Sequence, residues 1–159
     1  TLLSSPIDRY NPRMTDRKLA LLLVFLGLLM RFQLYLGTAI FGTDGGYFLW
    51  MADLMSEGEY EKALLIGYHP LYPLLISLLK PVFGTEASGF TVSIILGGAA
   101  AAPLYFVSRT VFTKPIAFCA TLLYLFHPLI VHNQADVMTE GTFLFFAFFP
   151  GKSSAQSSA

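Results

Sequence analysis

The run from Leu19 to Ile40 constrains this chain more than any other feature, because it is almost wholly apolar and carries a single charged residue, Arg31. About 20 such residues in a helix cover the roughly 30 Å hydrocarbon core of a bilayer. The basic residues Arg9, Arg13, Arg17 and Lys18 precede the run. By the positive-inside rule they predict a cytoplasmic N-terminus. A cleaved signal peptide is the rival reading, but the run is longer than a signal core and lacks a small-x-small cleavage site followed by a soluble domain. Arg31 is costly to leave unpaired at that depth, so it either snorkels to the outer surface or meets an anionic partner.

Composition supports a lipid-embedded chain: 55% of the 159 residues are hydrophobic and 13% are charged. The formal net charge is zero and no Lys/Arg block follows residue 18. That leaves no basic surface to neutralise phosphates, so nucleic acid is not an expected partner. A single cysteine, Cys119, excludes an internal disulfide framework and a cysteine-built metal cluster.

Two further spans are predicted. Residues 89–108 are rich in Gly97, Gly98 and the alanines 99–102, which permit close helix packing, and end at Arg109. Residues 115–131 follow after Lys114 and close at His132-Asn-Gln-Ala-Asp136. The stretch 71–83 is apolar but contains Pro73, Lys80 and Pro81. As a helix it would reach only about 20 Å, too short to cross, so it reads as re-entrant or interfacial. With that assignment Arg109 and Lys114 lie inside, while residues 41–88 and 132–141 form two loops on the outer face. The expected fold class is therefore an all-α polytopic membrane bundle with interfacial helices at about 45–60 and 71–83 in the first outer loop.

The ends of the chain read as those of a fragment. Met14 is a more natural start than Thr1, which makes residues 1–18 a basic leader in part extraneous, and the apolar run 142–149 stops short before a polar tail at 150–159. The domain expected is a partial transmembrane module over residues 19–149.

Chemistry belongs to the two outer loops. Asp44, in Phe41-Gly-Thr-Asp-Gly-Gly-Tyr47, is a carboxylate flanked by flexible glycines at the mouth of the membrane. It can accept a proton from a hydroxyl, or serve as an N-cap for the helix that follows. In that helix Leu49, Ala52, Asp53, Ser56 and Glu57 share one side, and Tyr47 and Trp50 suit the interface. His69, within Tyr68-His-Pro-Leu-Tyr-Pro73, can face a phosphate or a metal, or be a local structural feature. Asp136 and Glu140 are four apart, so on a helical turn they would share a face, to bind a divalent ion, orient a substrate or mark the aqueous edge of a span. His127 and His132 are not at zinc-site spacing, and Glu57 and Glu59 can pair with Lys62 as a solvated patch.

In order along the chain, the basic N-terminus, Arg31, Asp44-Gly-Gly-Tyr47, an amphipathic helix, His69-Pro-Leu-Tyr-Pro-Leu-Leu75, a Gly/Ala-rich span ending in Arg109, and His127-Pro-Leu-Ile-Val131 before Thr139-Glu140 resemble the N-terminal part of the C-type glycosyltransferases. Within that superfamily the likeness is greatest to the dolichyl-phosphate-mannose protein mannosyltransferases and bacterial relatives such as the lipid A aminoarabinose transferases. The resemblance covers about residues 18–149 and rests on the order of several short motifs.

It implies transfer of a mannose-type or related sugar, with inversion, from a polyprenyl-phosphate donor to a protein or lipid acceptor on the outer or lumenal face. Asp44 maps onto the acid of the first outer loop and Glu140 onto that of the next, as the catalytic pair. Tyr47, His69, Tyr72, Arg31 and Asp136 become candidate substrate contacts, and Glu57, Asp136 or Glu140 candidate ligands of a divalent ion, which relatives do not uniformly require. Two departures stand out: Gly45 replaces the second acid of many relatives, and Phe90-Thr-Val-Ser93 lies where many carry a basic residue. The 159-residue chain alone is expected to be inactive. The absence of an N-x-S/T sequon favours a bacterial inner membrane over an endoplasmic reticulum. The competing class is a non-enzymatic multi-pass protein, transporter-like or an assembly subunit, in which Asp44, Asp136 and Glu140 line a polar path.

Overall fold

The computed structural model describes residues 15–37 and 42–148. Arg9, Arg13, the last residues of the first apolar run and the tail 150–159 lie outside the described residues. Among the described residues the fold is all-helical: α1 (Asp16–Gly37), α2 (Thr43–Ser56), α3 (Tyr60–Leu65), α4 (Leu71–Phe83), α5 (Thr85–Ala99), α6 (Ala101–Val111), α7 (Lys114–Phe126), α8 (Pro128–Ala135) and α9 (Glu140–Phe148).

Helix α1 buries one narrow stripe and turns most of its large apolar residues outward. Ala20, Leu23, Gly27 and Arg31 are buried on one stripe, whereas Leu21, Phe25, Leu29, Phe32 and Leu36 are exposed on the other. That inversion of the soluble pattern suits a helix facing lipid. Helix α1 and the continuous segment Thr85–Val111 are each long and apolar enough to cross a membrane, consistent with a membrane protein.

The third predicted span is not straight. Helices α7 and α8 meet at 58° and count as one crossing only if taken together. Pro128 supplies no amide for the carbonyl four residues earlier, so the ladder breaks at His127 and the axis turns. Pro103 acts more gently on the Gly/Ala-rich segment, interrupting it at Ala100. The helix predicted at 45–60 ends earlier, at Ser56: Gly58, at φ 84°, takes a left-handed conformation between α2 and α3.

Contacts along α1 fix how the long segments run. Asp16 accepts from Tyr105 and lies 3.8 Å from Arg109 and 3.5 Å from Lys114; Arg31 meets Gln134; Tyr35 packs on Phe90, ring centroids 4.8 Å apart. Helix α1 is therefore antiparallel to α5–α6 and parallel to α7–α8. Close approach depends on glycine. A Cβ on Gly98 would stand 2.7 Å from Leu28 Cδ2, and one on Gly141 would stand 3.0 Å from Gly97 Cα. Gly97 and Gly98 thus admit two different helices, α9 and α1, to adjacent sides of α5.

Residues 42–84 leave and return at the end of the bundle where α1 finishes and α5 starts. Helices α2 and α4 pack on each other and on α5 through Phe48, Leu49, Ala52, Tyr72, Ile76, Phe90 and Val92. Leu49 and Ala52, on the side of α2 shared with Asp53, are buried there, while Tyr47 and Trp50 remain exposed. The opposite end holds a separate cluster of Ala20, Leu23, Ala101, Tyr105, Ala117 and Leu125.

Candidate functional site

At the end of the bundle that carries α2–α4, the two predicted acidic loops meet. The Gly42 amide donates to Asp136 Oδ2 at 3.1 Å, and the Val137 amide donates to Asp136 Oδ1 at 2.6 Å. Both carboxylate oxygens are thereby spent on backbone. Asp136 is the extended C-cap of α8, and residues 136–139 are not helical. Asp136 and Glu140 therefore do not share a helical turn: Glu140 opens α9 as a new helix, with Oε2 buried and without a hydrogen-bond partner among the described residues.

Asp44 is exposed in the first turn of α2, whose N-cap is Gly42, so the N-cap role falls to a neighbour that forms no side-chain cap. The carboxylate of Asp44 instead accepts from Tyr68 Oη at 2.9 Å. This bond, with a smaller contribution from partial burial, raises the Tyr68 phenol above its ordinary pKa and keeps it a donor. The Tyr68 ring stacks on Tyr47 at 5.7 Å and takes Phe48 edge-on at 5.0 Å. Exposed Asp44 thus sits on an aromatic support built by α2 and the 67–70 turn.

Tyr72 lies deeper. Its hydroxyl donates to Gly89 O at 3.1 Å and lies 2.7 Å from Ser93 Oγ, which in turn bonds Met138 O at 3.2 Å. Burial raises the phenol's pKa, and the charges of Asp136 and Glu140 act in the same direction. Tyr72 is thus a buried tie between α4, α5 and the 136–139 turn, not an exposed substrate contact. His69 is exposed and makes no hydrogen bond or ion pair among the described residues.

Arg31 takes neither course expected of it. It is fully buried, with no carboxylate within 4 Å among the described residues. Its Nε donates to Gln134 Oε1 at 3.1 Å, one terminal nitrogen donates to the same oxygen, and the other donates to Gly27 O at 3.0 Å. The guanidinium also lies 5.6 Å from the Tyr124 ring centroid. Neutral dipoles and an aromatic face replace the anion.

Glu57 is exposed at the end of α2, and no group of three or more His, Cys, Asp or Glu side chains among the described residues is placed to hold a metal. Glu57, Asp136 and Glu140 are not gathered into such a group. Glu59, not Glu57, pairs with Lys62, at 2.8 Å.

Four residues matter more here than their sequence context suggests: Tyr68, Ser93, Tyr124 and Gln134. Gln134 sits in a polar stretch that reads as the aqueous edge of a span, and only the continuation of the helix beyond Pro128 brings it into the core. No family model matches the chain, and no curated protein or solved structure is significantly similar to it.

Proposed function

We propose that this chain is the N-terminal part of a multi-pass membrane glycosyltransferase that moves a mannose-type or related sugar from a polyprenyl-phosphate carrier to a protein or lipid acceptor. The N-terminus is cytoplasmic and the reaction side is the outer face of a bacterial inner membrane. The observation that carries the reading is the Gly42–Asp136 hydrogen bond, which brings the first acidic loop against the second while Asp44 stays exposed. The basic residues Arg109 and Lys114 gather on Asp16 at the opposite end, which agrees with that orientation.

In this reading Asp44 takes the proton of an acceptor hydroxyl as its oxygen bonds to the anomeric carbon. The carbon–oxygen bond to the carrier phosphate breaks on the opposite face, the configuration inverts, and the phosphate leaves with the electron pair. Tyr68 holds the carboxylate in place through its hydroxyl. Glu140, beside the 136–139 turn, is the second acid, with an oxygen that no donor among the described residues satisfies. Arg31 is too deeply buried to touch the leaving phosphate, and Asp136 acts as a scaffold.

The test is transfer from a mannosyl-phosphoryl-polyprenol by membranes containing the full-length gene product. Asp44→Asn is expected to lower transfer by roughly 100-fold or more at equal abundance. Undiminished transfer would remove Asp44 as the base. Absence of transfer from wild-type membranes with this and related pentosyl and hexosyl donors would favour the non-enzymatic reading.

A further inference from the structure

We infer that Arg31 is a positioning residue for the acidic end of the bundle, acting through Gln134 and α8 to set Asp136, and through Asp136 to set the start of α2 that carries Asp44. The consequence for catalysis rests on the proposed function; the positioning itself does not.

Helix α8 needs such an anchor. Pro128 cuts its hydrogen-bond ladder from α7, so α7 does not dictate the direction taken after the 58° bend. Gln134, one residue before the end of α8, receives three donors on Oε1: Nε and a terminal nitrogen of Arg31, and Tyr124 Oη at 3.1 Å. Three donors on one atom identify that atom as the amide oxygen. The planar guanidinium fork reaches Gln134 on one side and Gly27 O on the other, which locks α8 to α1 with a fixed orientation. Room for it exists because residue 97 is glycine: a Cβ there would stand 2.9 Å from Arg31 Nε and 3.0 Å from Gln134 Cβ.

From Gln134 the path to the site is short and stiff. Ala135 and Val137 are buried on either side of Asp136, leaving its backbone little freedom. Asp136 then holds the amide of Gly42, and Asp44 follows two residues later. A buried cation without an anion is a poor device for stability, since apolar side chains of similar volume usually do as well. It is a good device for specifying one geometry.

Hydrogen exchange of the full-length protein in lipid nanodiscs tests this without reference to transfer. Arg31→Met and Gln134→Leu should each speed exchange of the amides at 42–46 and 134–139 roughly tenfold, while amides of α6 and α7 near Asp16 keep their protection. The near-isosteric variant Gln134→Glu, which keeps an acceptor oxygen for the fork and adds a negative charge beside it, should keep exchange at 42–46 slow. Faster exchange spread evenly through the bundle, or loosening of 134–139 with 42–46 unchanged, would overturn the inference. The expected pattern in a protein that transfers no sugar would leave the positioning intact and defeat the proposed function. In an active protein, Arg31→Met and Gln134→Leu should each lower kcat with little change in the donor KM, whereas Gln134→Glu should keep kcat near the native value.

Discussion

The amide of Gly42 and the carboxylate of Asp136 meet at 3.1 Å although 94 positions separate them in sequence. That bond joins the entry of α2 to the exit of α8, and makes one surface of two loops. Asp136 accepts the Val137 amide as well, so it is a structural carboxylate that gathers backbone donors. Replacement by alanine should loosen the start of α2 by about 1 kcal/mol, with faster exchange at Gly42 as the readout. Asparagine, which keeps one acceptor oxygen, should fall between alanine and the native residue. Identical protection in all three proteins would show that the bond does not hold the loops together.

Close packing at α5 should make its glycines unequal to others. Gly98→Ala would set a Cβ 2.7 Å from Leu28 Cδ2 and 2.9 Å from the Leu28 backbone nitrogen, and should cost about 1–3 kcal/mol through forced displacement of α1. Gly37→Ala meets nothing within 4 Å among the described residues and should be close to neutral. Thermal unfolding of the two variants in one detergent gives the comparison.

Acid should weaken the packing of α2 on α4 and α5. Asp53 accepts from Lys80 at 2.8 Å and from Thr85 at 2.6 Å. Burial opposes ionisation of Asp53, but the Lys80 and Thr85 contacts outweigh it, and the pKa falls below the ordinary 3.8. A depressed carboxylate pKa adds stability that is present above the unfolded value and is lost as pH drops through the folded one. The side chain is 42% exposed, so solvent screening keeps the effect small. Asp53→Asn should remove this part of the acid sensitivity, as seen in the pH dependence of exchange at 80–88.

Membrane sidedness follows from the run of the helices. In a Cys119→Ser background, cysteines at positions 44 and 136 should react with an impermeant maleimide from one side, and a cysteine at Val111 only from the other. Labelling of positions 44 and 111 from the same side would contradict the antiparallel arrangement of α1 with α5–α6 across a bilayer.

The apolar runs and the glycine pair at 97–98 were legible in sequence because they act locally, through helix length and side-chain size. Hydropathy and length alone mark α1 and Thr85–Val111 as long enough to cross, and composition alone marks the chain as suited to lipid. What Arg31 and Asp136 do was not legible, because their partners lie 103 and 94 positions away. Sequence shows that a buried guanidinium or a loop carboxylate needs a partner. Only the tertiary structure decides that the bend at Pro128 carries Gln134 to the one and that the return of α2 brings Gly42 to the other.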